Sequence, residues 1–284
     1  MQRIDLETSC GRVCVYKKGI GAKKIVLLHG AGCDSALLSW QEVMERLHYD
    51  DYTVYAPDLP GYGNSDYPEQ ISGAEFYQTH ANVLQEICDA LELQDMILTG
   101  LSMGAAIAVR FTLDHPDRVE HLVLIDPWGV TERLPFQRLC ARYVKKEKRM
   151  QKWYERMANS RLLARWMIAY ELIGDRKKIT PELITEVQQA CATEMAGKSM
   201  RDYQVSSLLK KGCVPYYKKE DWERLPMQVI FIQGEKDPLV AAKDVRAASE
   251  LVSFGRYIEW EGAKHWSVRE YAAELVGLFA EIVS

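Results

Sequence analysis

The chain alternates between short, continuous apolar runs and longer segments in which apolar residues recur every three or four positions. The apolar runs, typical of strands buried on both faces of a parallel sheet, lie at 24–32, 52–56, 96–99, 121–125, 228–234 and 257–260. Helical spacing separates or follows them at 37–47, 74–91, 105–113 and 241–251, with a last helix at the end of the chain. Two alternating segments, 4–7 and 13–16, predict an antiparallel lead-in pair. This order predicts an α/β fold with a doubly wound, mostly parallel sheet.

The alternation of strands and helices stops between residues 128 and 224. This segment has helical spacing throughout, with aromatic and basic residues mixed, and we expect no strand in it. Thr180, followed by a proline, and Ser199 are typical helix starts. Further on, Ser267 with Glu270 predicts a capping box for the last helix. The middle of the chain is therefore predicted to be a helical insertion into the α/β core.

Composition is that of a globular protein, with 284 residues, 48% hydrophobic and 27% charged residues, and a formal net charge of −4. No apolar run approaches the roughly 18 residues of a membrane span, and no basic-then-apolar leader opens the chain. Seven scattered cysteines without a C-x-x-C pair predict neither a disulfide framework nor a zinc site, and we expect them to be buried small side chains. We therefore expect a cytoplasmic protein that binds neither nucleic acid nor metal. The oligomeric state is left open.

One serine stands between a strand end and a helix start, with a glycine two residues away on each side. Ser102 follows the run 96–99 and lies between Gly100 and Gly104. This is the pattern of a nucleophile elbow, in which glycines avoid Cβ atoms that would collide across a sharp strand-to-helix turn. The turn would expose the Ser102 hydroxyl and direct the N–H of Met103 toward a developing oxyanion. The alternative, a serine that only caps the helix, does not require glycine on both sides.

Several further stretches support the elbow. Residues 29–32 read His-Gly-Ala-Gly, residues 58–65 form a loop by composition, and loops 234–238 and 262–266 follow the last two predicted strands. Together with the elbow, these stretches resemble the α/β-hydrolases with a helical cap. The resemblance covers essentially the whole chain outside the cap.

The resemblance implies an α/β-hydrolase fold, a mostly parallel sheet flanked by helices with an inserted all-helical cap. The core domain would comprise residues 1–127 and 225–284, and the cap would be residues 128–224, inserted after the sixth strand. The family order of catalytic residues is serine, acid, histidine, with the acid and histidine in loops after the last two strands.

Asp237 and His265 fall at the positions that this order implies. A serine hydroxyl attacks a carbonyl only when a neutral imidazole takes its proton and a carboxylate orients that imidazole, so His265 would be the base and Asp237 its partner. Two other acids are weighed: Glu235, and Asp126 at the end of the strand before the cap, which is the main rival. The remaining histidines lack an acid at the expected position or belong to the 29–32 turn: His29, His48, His80, His115 and His121. For His29 we expect a structural role.

The resemblance also implies that the backbone N–H of Ala31 joins that of Met103 in an oxyanion hole. No cofactor is predicted. The Gly61-x-Gly63 pair is too short for a dinucleotide-binding fingerprint.

The cap is expected to choose the substrate. We select Trp128, Trp166 and Tyr170, with Trp266 from the core, as pocket residues, although packing between cap helices is the alternative for each. Further candidates in the cap are Phe136, Tyr143, Trp153, Tyr154, Met167, Tyr203, Tyr216 and Tyr217. Residues 128–224 also hold 21 Lys and Arg against 12 Asp and Glu. A basic cap would steer an acidic substrate or contact an anionic membrane surface, but a solvated helix face at 145–149 is the favoured interpretation.

The sequence thus predicts a cofactor-independent serine hydrolase that cleaves small or medium carboxylic esters through an acyl-enzyme. A monoacylglycerol or lysophospholipid lipase, a carbon–carbon bond hydrolase, and a ligand-binding protein with little turnover are the alternatives. Its partner would be a small ester or lipid substrate.

Overall fold

The structure is a computed structural model that describes residues 1–69, 71–146 and 148–283. Within these residues, eight strands form one sheet in the order β1-β2-β4-β3-β5-β6-β7-β8. The strands are β1 (Gln2–Thr8), β2 (Gly11–Gly19), β3 (Lys23–Leu28), β4 (Tyr52–Pro57), β5 (Met96–Leu101), β6 (Val119–Ile125), β7 (Gln228–Gly234) and β8 (Gly255–Trp260). The predicted strands are all present.

The sheet is antiparallel only at its beginning. β1 pairs with β2 and β2 with β4 in antiparallel register, whereas every pair from β4 through β3, β5, β6 and β7 to β8 is parallel. The central strands β4 and β5 are buried along their whole length, as their continuous apolar runs predict. The carboxyl ends of the parallel strands therefore meet along one edge, which is where α/β proteins place their sites.

Five helices flank the sheet: α1 (Ala36–Arg46), α2 (Phe76–Ala90), α3 (Met103–Asp114), α10 (Ala242–Ser249) and α11 (Ala272–Ile282). Helices α2, α3 and α10 contribute to the apolar core on one face, and α1 and α11 contribute to the core on the other face. Trp40 of α1 and Phe279 of α11 are fully buried in the second core. Burial of these amphipathic faces is what holds the helices on the sheet.

The chain forms a helical insertion between β6 and β7. Its α-helices are α4 (Gln137–Tyr143), α5 (Lys148–Asn159), α6 (Arg161–Met167), α7 (Pro181–Cys191), α8 (Glu194–Ser207) and α9 (Lys219–Trp222). A π-helical turn, Ile168–Leu172, follows α6, and a single antiparallel bridge joins Leu208 to Cys213. The apolar side chains of α5, α6 and α7 continue the core that lies under α1 and α11.

Local signals for helix ends are partly confirmed. Thr180 caps α7 by accepting a hydrogen bond from the N–H of Leu183, as predicted. The prediction for Ser199 is wrong, because this residue lies inside α8 and its hydroxyl donates to the carbonyl of Gly61. The capping box is also wrong, since Ser267 begins a short 3-10 turn and α11 begins only at Ala272.

The cysteines and the lengths of the apolar helices bear on two expectations from the sequence. All seven cysteines are free, but Cys10, Cys33 and Cys140 are only half-buried, so the expectation that every cysteine is buried is wrong. In the same residues, no helix combines the length and the apolar character that crossing a bilayer requires.

Candidate active site

Ser102 lies at a strained turn between β5 and α3. Its φ and ψ angles are 52° and −113°, in the positive-φ region that residues other than glycine rarely adopt. A Cβ atom at Gly100 would lie 2.4 Å from the carbonyl oxygen of Gly104, and one at Gly104 would lie 2.5 Å from the carbonyl oxygens of Leu28 and His29. Both glycines are therefore required by close backbone approach, which lets the turn raise the serine above the sheet edge.

A hydrogen-bonded chain connects three predicted site residues. The Oγ atom of Ser102 lies 2.9 Å from Nε2 of His265, and Nδ1 of His265 lies 2.8 Å from Oδ2 of Asp237. The other oxygen of Asp237 accepts the backbone N–H groups of Leu239 and Val240, which fixes the carboxylate. With this carboxylate accepting from Nδ1–H, Nε2 is left to accept the serine proton.

Burial and charge have opposite effects on the site. Burial lowers the pKa of His265, but the negative charge and the hydrogen bond of Asp237 outweigh it and raise that pKa to about 9. Burial by itself would raise the pKa of Asp237. The charge of His265 and the hydrogen bonds that the Asp237 carboxylate accepts nevertheless hold this pKa below its usual value. The pair therefore stabilises a protonated imidazole, which is the species formed when serine gives up its proton.

Asp126, the rival acid, has a different position. Its Oδ1 atom accepts the N–H of Gly234, and its Oδ2 atom accepts both the N–H and the hydroxyl of Ser267. Burial, together with the charge of Asp237, raises the pKa of Asp126 to about 7. Asp126 thus ties the ends of β6 and β7 to the segment after His265. Glu235, the second rival, accepts the N–H of Gly262.

The turn that follows β3 lies beside Ser102. Nδ1–H of His29 donates to the carbonyl of Gly30, and Nε2 accepts the N–H of Leu59, so this histidine holds the turn as expected. In the described part of the chain, the N–H groups of Ala31 and Met103 donate to no other protein group. Ala31 lines the same cavity as Ser102. Two backbone donors therefore remain available near the serine hydroxyl.

A cavity of about 240 Å³ contains Ser102 and His265 and is bounded by the helical insertion. Its walls are mostly apolar, with lining side chains that include Trp128, Leu134, Tyr154, Met167, Met200, Tyr203, Leu208 and Trp266. Glu171 is the acidic side chain of the insertion in this wall, and burial raises the pKa of its carboxyl.

Two of the four selected pocket residues are placed elsewhere. Trp128 and Trp266 line the cavity, but Trp166 and Tyr170 do not. The rings of Trp166 and Tyr170 stack on each other at 5.1 Å, and the side chains are exposed on the insertion's outer surface. Sequence reasoning missed Met200, Leu208 and Glu171. The three-residue spacing of Met200 and Tyr203 places both on one face of α8, and this spacing is the signal that could have predicted part of the wall.

No group of three or more metal-ligating side chains capable of holding a metal ion occurs among residues 1–69, 71–146 and 148–283.

Part of this chain is similar in sequence to known proteins. The abhydrolase domain-containing protein abhd-5.2 of Caenorhabditis elegans is 40% identical over 112 residues, which are 39% of this chain and 24% of that protein. The 1-acylglycerol-3-phosphate O-acyltransferase ABHD5 of Mus musculus is 41% identical over 121 residues, 42% of this chain and 34% of that protein. The matched stretches thus span only about a quarter to a third of these relatives.

Solved structures match over nearly the whole chain. A variant of the meta-cleavage product hydrolase CumD of Pseudomonas fluorescens IP01 has a TM-score of 0.79 at 21% identity and covers 99% of this chain and 97% of its own. A thermophilic esterase of Thermogutta terrifontis has a TM-score of 0.75 at 18% identity and covers 100% and 98%. At 21% and 18% identity, this structural similarity shows a shared fold. A sequence model described as the alpha/beta hydrolase fold matches residues 24–270, and the chain therefore belongs to the α/β-hydrolase family.

Proposed function

We propose that this protein is a serine hydrolase that cleaves carboxylic esters through an acyl-enzyme. The observation that carries the proposal is the hydrogen-bonded chain from Ser102 through His265 to Asp237, which opens into an apolar cavity. A positioned serine, base and acid are what acyl transfer requires, and hydrolases are common on this fold.

In the proposed reaction, Oγ of Ser102 attacks the ester carbonyl while Nε2 of His265 takes the serine proton. The backbone N–H groups of Ala31 and Met103 stabilise the oxyanion, and one such donor is commonly worth about 3 kcal/mol. His265 then gives its proton to the leaving alcohol, and the acyl group stays on Ser102. Water, deprotonated by the same imidazole, attacks the acyl-enzyme. The bond between Oγ of Ser102 and the acyl group breaks, His265 returns the proton to Oγ, and the acid is released. Asp237 stabilises the imidazolium in both halves.

We propose further that residues 128–224 act as the cap that selects the acyl group. The apolar lining and the volume of about 240 Å³ favour a small or medium acyl chain over a long one. A cytoplasmic location is part of the proposal, and the free state of all seven cysteines supports it.

A second candidate is transfer of the acyl group to an acylglycerol phosphate instead of to water. The name of the ABHD5 relatives favours it, although the match spans about a third of those proteins. Both reactions share the acyl-enzyme and differ only in the acceptor. Product analysis with and without glycerol phosphate or its monoacyl ester separates them, because transfer forms a new ester and hydrolysis forms the free acid.

The proposal is tested by initial rates on p-nitrophenyl esters of increasing acyl length. We expect turnover that peaks at a short or medium chain and that is lost in Ser102→Ala. Ser253→Ala, at an exposed surface serine, is the matched control and should keep wild-type rates. Folded wild-type protein that hydrolyses no ester, or a Ser102→Ala variant as active as wild type, contradicts the proposal.

A further inference from the structure

A second, larger cavity of about 790 Å³ lies in the helical insertion. Five of its described lining residues are cationic, namely Lys146, Lys148, Arg149, Lys152 and Arg156, and we call this cavity the cationic basin. Glu171 is the acidic group among the same lining residues. The basin is therefore strongly positive, in contrast to the mostly apolar cavity that contains Ser102.

The cationic basin adjoins the cavity of the candidate active site. The two share five wall residues, which are Tyr154, Met167, Glu171, Met200 and Gln204. The hydroxyl of Tyr154 reaches the turn beside Ser102, since a Cβ atom at Gly32 would lie 2.7 Å from it. Helix α5 thus borders the candidate active site with Tyr154 and the basin with its cations. A substrate bound at Ser102 would therefore lie next to the basin.

The spacing of the cations on α5 does not favour the helix, although Arg156 lies in its last turn, where a cation is stabilising. Lys148, Lys152 and Arg156 recur at four-residue intervals, so like charges lie on successive turns, an arrangement that destabilises an isolated helix. None of these three side chains forms an ion pair with a described carboxylate. Arg149 is placed over the ring of Tyr143 at 3.8 Å. A net positive charge in a concave site attracts an anionic ligand.

We propose that the cationic basin binds the anionic, phosphate-like group of an acyl ester whose carbonyl lies at Ser102. The two adjoining cavities match an amphiphile with an apolar acyl chain and a charged head. Phosphate oxygens accept several hydrogen bonds at once, which suits a group of Lys and Arg side chains. This inference rests on the proposed function for the position of the ester, but the basin is tested by binding alone.

The binding test uses Ser102→Ala protein, so that no ester is consumed. Calorimetry compares hexanoyl glycerol phosphate with hexanoyl glycerol, which share the acyl chain and differ in the phosphate. We expect the phosphate compound to bind about tenfold tighter at low salt, and this preference to shrink as added salt screens the charges. Adding Lys148→Gln and Lys152→Gln should remove most of the preference.

The matched control carries Lys177→Gln and Lys211→Gln, which remove the same charge from exposed positions of the insertion outside the basin. It should keep the preference of the parent. Equal affinity for both compounds, or a preference for the phosphate compound that survives the basin substitutions, overturns the proposal. The cations of the basin would then be interpreted as a solvated helix face. Binding to phosphatidylglycerol vesicles that needs Lys148 and Lys152, without preference for the monomeric phosphate, also overturns it and assigns the basin to a membrane surface.

A parallel assay keeps this proposal distinct from the proposed function. If wild-type protein hydrolyses p-nitrophenyl butyrate but its Ser102→Ala form shows no phosphate preference, the basin proposal fails and the hydrolase proposal stands. If the phosphate preference depends on the basin lysines but no ester is hydrolysed, the basin stands as an anion site and the hydrolase proposal fails.

Discussion

At the residue scale, the site depends on an imidazole whose two nitrogens have different partners. Asp237 is on the Nδ1 side of His265 and Ser102 is on the Nε2 side, so the carboxylate selects the tautomer that can accept the serine proton. The same carboxylate raises the pKa of His265, and the imidazole is therefore the basic form only at alkaline pH in the free protein. Tautomer and pKa both change when the charge of Asp237 is removed.

Asp237→Asn should lower kcat/KM for a p-nitrophenyl ester by roughly 10³- to 10⁴-fold. The pH profile should change as well. Activity needs neutral His265, so wild-type kcat/KM rises with pH through a pKa near 9. Without the negative charge that pKa falls, and the rise moves to lower pH. Asp50→Asn, at an exposed aspartate, is the control. An unshifted profile in Asp237→Asn contradicts this assignment of the acid.

The sequence is informative about this residue set because Ser102 lies in a local motif with a steric reason, and the resemblance to α/β-hydrolases implies the positions of Asp237 and His265. The glycines around Ser102 indicate the serine, and the family order places the acid and the base in the loops after β7 and β8; the structure brings all three together. Trp166 and Tyr170 could not be placed in the same way. Their four-residue spacing puts them on one helix face, but packing decides whether that face meets the cavity or solvent, and here they are exposed.

At the element scale, the elbow depends on how closely β5, α3 and the end of β3 approach one another. Gly104→Ala places a Cβ atom 2.5 Å from backbone oxygens and should lower the free energy of unfolding by about 1–3 kcal/mol. Gly277→Ala is the matched control, because nothing lies within 4 Å of its Cβ position on α11. There, alanine should raise the free energy of unfolding by about 0.5–1 kcal/mol. Urea unfolding measures both, and equal effects of the two substitutions would count against the packing described for the elbow.

Asp126 joins elements that are distant along the chain. Asp126→Ala leaves the N–H of Gly234 and the N–H and hydroxyl of Ser267 without their acceptor, all in a buried place. We expect a loss of about 3 kcal/mol or more in the free energy of unfolding. Ester hydrolysis should also fall, because β7 leads to Asp237 and the segment of Ser267 follows His265. An Asp126→Ala variant with the wild-type free energy of unfolding would contradict a stabilising role for these hydrogen bonds.

Element ends show why local signals fail where tertiary bonds compete. Among the described residues, no distant group bonds to the side chain of Thr180, which accepts the N–H of Leu183 and caps α7. Ser267 matches a capping pattern equally well, but its hydroxyl is bonded to Asp126, and the carboxylate of Glu270 accepts the N–H groups of Gly174 and Asp175 instead. The sequence pattern holds no information on those partners, since they lie more than 90 residues away.

At the scale of the whole molecule, the cavity forms where the helical insertion meets the core. Met200 on α8 is in the wall between this cavity and the cationic basin. Met200→Ala should widen the space where the two cavities adjoin and admit longer chains, with a gain of up to about fourfold in relative kcat/KM for each further methylene buried. The measurement is the kcat/KM ratio of octanoate to butyrate p-nitrophenyl esters. Met195→Ala, on the same helix but outside both cavities, should leave the ratio unchanged, and an equal ratio in both variants contradicts this boundary.

The alternation of strands and helices, and the helical insertion between β6 and β7, could be predicted because apolar periodicity follows burial. The position of the insertion's helices over the sheet could not, because each amphipathic helix offers an apolar face without indicating its partner. The wall made by Met200, Leu208 and Glu171 is a product of that packing.

The central claim is that Ser102 is the nucleophile of a working acyl-transfer site. A fluorophosphonate probe reacts covalently with an activated serine, and mass spectrometry of the digested protein locates the adduct. The account predicts one adduct, on the peptide that contains Ser102, with no labelling in Ser102→Ala and slower labelling in Asp237→Asn. Folded wild-type protein that forms no adduct, or an adduct that persists in Ser102→Ala, would contradict it.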